Sequence, residues 1–143
     1  MTKWLPRIGT ITFTLWGLLH IAGGALMLNA ANVQDGAAYF EMSAPAGMAD
    51  GADLPGAAFA IFTARSMDLI WVGALITLLA WRFNWRNSGN WWLAPLIIGA
   101  VEIVLVLSTI RPGFMTFGQA SPGLVLAIAA IVSVIAGRPR VAA

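Results

Sequence analysis

The chain contains no cysteine. That excludes disulfides, thiolate metal sites, iron–sulfur clusters and dithiol redox chemistry. It contains one histidine, His20, so a haem held by two histidines of one chain is excluded as well. Charge is scarce: eight basic and six acidic residues among 143, or 10%, where a soluble domain carries about 25%. So little charge cannot clothe a soluble globular domain or solvate a disordered chain. The net charge of +2 is too small to make a phosphate-binding surface, which excludes nucleic acid as a partner. The stretches 1–75 and 76–143 share no motif, so an inverted-repeat transporter gains no support.

What is present is apolar. Hydrophobic residues make up 59% of the chain, and the mean hydropathy is +0.82. This composition predicts an all-α integral membrane protein, a single domain over residues 1–143 built as a four-transmembrane-helix bundle. The expected spans are 8–30, 56–81, 91–110 and 118–137. Residues 8–34, 27 in a row, carry no formal charge, enough to cross a hydrocarbon core of about 30 Å with some tilt. Lys3 and Arg7 also suit the basic start of a signal peptide, but the apolar run is too long and no A-x-A site follows it. In the second span, Asp53 is the expected N-cap, with Pro55 in the first turn. Pro95 falls in the first turns of the third span, where a missing N–H is tolerated. In the fourth span, Ser121-Pro122 reads as an N-cap followed by proline at the first helical position, and Gly137 as the stop. That leaves a short apolar run, which the preceding residues 114–118 complete.

The connections carry the orientation. Residues 31–55 form a long acidic loop with Asp35, Glu41, Asp50 and Asp53 and no basic residue. Within it, Ala37–Met42 suits either a short interfacial helix with Tyr39, Phe40 and Met42 dipping into the headgroups, or part of a flexible connector. Lys3, Arg7, Arg82, Arg86, Arg138 and Arg140 fall on one side of the four-span plan and only Arg111 on the other. The positive-inside rule then predicts cytoplasmic termini and an outside acidic loop, in a cell membrane of the bacterial inner-membrane type. Trp4, Trp81, Trp85, Trp91 and Trp92 fall at the inner boundary as belt residues.

With the loops assigned, His20, Arg65, Asp68 and Glu102 remain inside spans. Counted at ~1.5 Å per residue, His20, Asp68 and Glu102 fall within about 4 Å of one depth near the midplane. Each such residue costs about 2.5–3.5 kcal/mol on insertion scales, so clustering inward is favoured over scattering on lipid-facing surfaces. Arg65 and Asp68 stand at i, i+3 and are expected to pair along one helix. Glu102 has no charged neighbour on its own helix within two turns, so it is expected as a neutral acid and proton donor. Asp68 is then the base or cation stabiliser, His20 the relay and Arg65 the orienting charge. Trp16, one turn before His20, and Trp71, one turn after Asp68, are expected to wall the pocket. His20, Asp68 and Glu102 could also ligate a metal. No paired motif of the H-x-x-E-H or E-x-x-H kind supports one, and no cofactor is expected.

This constellation suits binding, and acid/base transformation, of a lipophilic small molecule such as a quinone, an isoprenoid or a sterol-like lipid. Two other readings fit the sequence. In one, the charges are a structural network in an accessory or assembly subunit, with a membrane-protein partner or a homodimer docked on the acidic loop or on the span-four stripe Ala129-x-x-x-Ser133-x-x-x-Gly137, a stripe that equally suits packing inside the bundle. In the other, they serve a proton- or cation-coupled carrier. On the first span, Gly9, Gly17, Gly23 and Gly24 are expected to admit close neighbours.

Overall fold

A computed structural model describes residues 4–43, 56–113 and 115–138. Among them there are helices and no strands. Helix α1 runs Trp4–Asn32 and α2 runs Gly36–Ser43. Helix α3 runs Gly56–Leu79 and continues through a wider π-type turn over Ala80–Asn84. Helix α4, Leu93–Leu105, continues in the same way over Val106–Ile110, and α5 runs Phe117–Gly137. Four of these helical stretches are long and apolar enough to cross a membrane: Trp4–Asn32, Gly56–Asn84, Leu93–Ile110 and Phe117–Gly137. Asp53 and Pro55 lie outside the described residues.

The fourth span begins earlier than Ser121. Thr116 is the N-cap, and with Gln119 it forms a reciprocal capping box. Pro122 therefore lies inside α5. Proline has no N–H to offer the carbonyl four residues back. The Ser121 hydroxyl donates to that Gly118 carbonyl instead, at 2.9 Å. Ser121 thus repairs the helix rather than starting it. The shortest span is the third, at 18 residues, against 21 for the fourth.

Close helix contacts are made where side chains are absent. In a bilayer, apolar burial alone gives helices little reason to associate, so packing and hydrogen bonds must hold them. Gly17 of α1 lies against Gly73 of α3, so close that a Cβ on either would stand 2.5 Å from the other's carbonyl oxygen. Gly24 meets Ser66 in the same way. Numbers rise on α1 as they fall on α3, so the two helices run antiparallel. Gly9 against Val134 and Pro6 against Gly137 give the same antiparallel relation between α1 and α5. Gly23 differs, since a Cβ there would meet nothing within 4 Å. On the α5 stripe, Ala129 is exposed, and the buried α5 face is Ala120, Ala127, Ala130 and Val134. Phe13, Trp16, Ile76 and Ile98 complete the core.

The bundle has two unlike ends. At one, Arg7 lies over the rings of Trp4 and Trp85, at 5.6 and 5.2 Å. Trp81 donates to Thr14 there at 3.0 Å, and Asn84 donates to the Trp91 carbonyl at 2.8 Å, tying α3 to α4. Lys3 and Arg140 lie outside the described residues. At the other end, Gln34 takes a left-handed φ of 57° and reverses the chain after α1. Asp35 N–H reaches back to the Ala30 carbonyl (2.9 Å) and Gln34 N–H to that of Ala31 (3.1 Å), a Schellman closure. The Asp35 carboxylate then accepts from Ala38 N–H at 2.9 Å and starts α2. Of the two readings for this stretch the helical one holds, but α2 turns onto the bundle. Tyr39 is 4% exposed and stacks on Phe62 of α3 at 4.2 Å, with Phe40 edge-on to the same ring at 5.4 Å. Aromatic pairing with α3 takes these rings rather than the headgroups.

Candidate functional site

Glu102 is 7% exposed, on α4. One of its oxygens, Oε1, accepts from the indole N–H of Trp16 at 2.7 Å, joining α1 and α4 through the middle of the bundle. The other, Oε2, is buried with no hydrogen-bond partner among the described residues. Trp16 is wholly buried and also holds His20. The two rings stack at 3.7 Å with 24° between their planes. His20 Nδ1 lies 2.9 Å from the Trp16 carbonyl oxygen. A carbonyl only accepts, so Nδ1 carries the hydrogen, which leaves Nε2 as the second polar atom of the ring. Gly123 of α5 completes this corner: a Cβ there would stand 3.6 Å from His20 Cε1 and 3.7 Å from Glu102 Oε1.

Glu102, His20 and Gly123 border a cavity of about 530 Å³. It lies among the second half of α1, the first half of α3, the later turns of α4 and the first turns of α5. Tyr39 and Met42 of α2 close it from the loop end. His20 and Gly23 come from α1, Phe62 and Arg65 from α3, Glu102 and Thr109 from α4, and Gln119 from α5. Most of the remaining wall is apolar, including the thioethers of Met27, Met42 and Met115. Methionine walls adapt to ligands of irregular shape.

The structure therefore brings His20, Arg65 and Glu102 to one cavity, with Trp16 behind two of them. Asp68 and Trp71 are elsewhere. Asp68 is exposed, and its carboxylate accepts from the Trp71 indole N–H at 3.0 Å. Trp71 is 53% exposed on the outer surface of α3. The expected pairing of Arg65 with Asp68 is not formed; Asp68 bonds to Trp71, and no acid among the described residues pairs with Arg65. Depth along a helix is readable from residue counts, but rotation about the helix axis depends on which face the neighbours cover. Among the described residues no three His, Asp or Glu side chains converge as metal ligands would.

Several cavity residues carry no sequence signal of their own. Gly123 stands behind a proline and Thr109 and Gln119 near span ends, while Tyr39 and Met42 read in sequence as headgroup contacts rather than cavity walls. Only the His20–Trp16 spacing of one turn hints at the arrangement.

Fold and site together define an all-helical, multi-span membrane-type protein with a largely apolar cavity between its helices that carries a few polar groups. Comparison with protein-family models, curated proteins and solved structures gives no match to this chain.

Proposed function

We propose that this protein lies in a bacterial inner membrane with both termini in the cytoplasm, and that its cavity binds a lipophilic molecule bearing a polar head, of the quinone, isoprenoid or sterol-like kind. The observation that carries this reading is the cavity of about 530 Å³, within the ~300–1,000 Å³ range of small-molecule sites. Its wall is apolar apart from a few polar groups, among them Glu102, His20 and Arg65. A purely structural network would satisfy its members. Here Glu102 Oε2 has no partner and Arg65 has no carboxylate among the described residues, which favours a ligand over a helix lock. In any proton transfer to that ligand, Glu102 is the acid and His20 the adjacent relay. Asp68 lies outside the cavity and takes no part.

Native mass spectrometry after gentle extraction tests the reading with two variants. Gly23→Leu adds bulk to the cavity wall at a position where a Cβ meets nothing within 4 Å. Glu102→Ala removes the central polar group. A molecule of defined mass that co-purifies with the wild type and is lost from both variants is the expected result. A wild type that carries nothing beyond bulk phospholipid, and melts at the same temperature with or without added lipophile, overturns it.

A further inference from the structure

The identity of the head group can be taken further, on the basis of the ligand-binding reading. Arg65 stands nine residues into α3, inside a stretch apolar enough to cross a membrane, and its side chain lines the cavity. A guanidinium is always charged, and at that depth it is costly without an opposite charge. The chain supplies none among the described residues. Asp68, three residues on, bonds to Trp71. Glu102 gives one oxygen to Trp16, and its other oxygen is buried and unpartnered. On the cavity wall Arg65 also lies close enough to Tyr39 and His20 to act on both electrostatically. The polar part of the cavity thus holds an exposed cation with no acid paired to it among the described residues, the phenol of Tyr39, and an acid with one oxygen unpartnered among those residues, beside methionine, leucine and phenylalanine walls.

We infer that the cavity takes an amphiphile whose head is an oxyanion, a carboxylate or a phosphate, paired with Arg65 and hydrogen-bonded by Glu102. Guanidinium is the side chain whose planar fork of donors matches such heads, two hydrogen bonds at a time. Glu102 joins as a neutral acid that donates from Oε2 while Oε1 keeps its bond from Trp16. Glutamine reproduces that pattern, with its carbonyl facing Trp16 and its amide N–H facing the ligand.

The test uses the full chain in nanodiscs of neutral lipid, with three probes of equal tail length: palmitic acid, hexadecyl phosphate and hexadecanol. The acid and the phosphate are expected to bind about tenfold or more tighter than the alcohol, as a charge-assisted pair requires. Arg65→Gln should remove that preference and leave the alcohol unchanged. Glu102→Gln should keep acid binding and Glu102→Ala lose it. Gly23→Leu should exclude all three. If the alcohol binds as well as the acid and Arg65→Gln changes neither, the oxyanion head is wrong, while the lipophilic-ligand reading stands. If no probe binds and Gly23→Leu makes no difference, both fall. A second arm separates the sources of the head. Nanodiscs containing phosphatidylglycerol are extracted with and without palmitic acid. Displacement of retained phosphatidylglycerol by palmitic acid supports a free amphiphile entering the site. Arg65-dependent retention that palmitic acid cannot displace supports the oxyanion head and assigns it to a bilayer phospholipid.

Discussion

At the scale of single residues, Trp16 is the organising side chain. It donates to Glu102, stacks on His20, and is wholly buried. Trp16→Phe keeps most of the ring but removes the N–H, leaving both oxygens of a buried carboxyl unpartnered. An unsatisfied buried group costs about 1–3 kcal/mol. The expected outcome is a loss of that size in unfolding experiments in micelles; unchanged stability would count against the 2.7 Å bond. Tyr39 offers a pH probe outside the spans. Burial pushes its phenol above the ordinary tyrosine value, opposed by a hydrogen bond with Ser66 and the charge of Arg65. A raised value in the folded state means that α2 docking is at full strength below the unfolded tyrosine value. It is lost as pH rises through the folded one. Tyr39 is the chain's sole tyrosine, so its ultraviolet absorbance titrates alone. The phenolate should form at higher pH in folded than in denatured protein; coincident curves would reject the docked ring.

At the scale of elements, the glycines of α1 look alike in sequence and differ in role. Gly17 and Gly24 are contact points with α3, and Gly23 faces open space. Gly17→Ala would put a methyl 2.5 Å from the Gly73 carbonyl oxygen, forcing the helices apart at a cost of about 1–3 kcal/mol. Gly23→Ala meets nothing and gains up to about 1 kcal/mol of helix propensity. Thermal melts of the pair should move in opposite directions, and equal shifts would refute the assigned contact face. Helix existence and approximate ends follow from long uncharged runs, Trp–Arg clusters and prolines, which the four spans bear out closely. The expected span 118–137 lies within one residue of α5, but the N-cap is Thr116 and not Ser121, because a Ser-Pro pair has two uses. It opens a helix when the upstream backbone is free, and repairs one when Thr116 and Gln119 have already capped it.

At the scale of the whole molecule, the expected orientation rests on charge asymmetry. The structure gathers Arg7, the Trp81–Trp85 pair and the α3–α4 turn at one end, and the acidic Asp35 turn at the other. A chain with no native cysteine makes this simple to test. Asp35→Cys should react with an impermeant maleimide from the outside of intact cells, and Asn87→Cys only after the membrane is opened. Labelling in the reverse order would invert the assignment. Labelling of both from one side would mean that α3 does not cross.

Sequence by itself determined the class, the number of spans and their approximate limits, because crossing about 30 Å of hydrocarbon demands long uncharged helices and little else can satisfy the backbone there. It also determined which ionisable residues are costly enough to matter. Tertiary structure decided which of them meet. His20, Arg65 and Glu102 turn to one cavity, and Asp68 turns away with Trp71. That choice depends on the rotation of each helix, set by backbone contacts such as Gly17 with Gly73. It depends equally on a bond between Trp16 and Glu102, 86 residues apart, which no local pattern encodes.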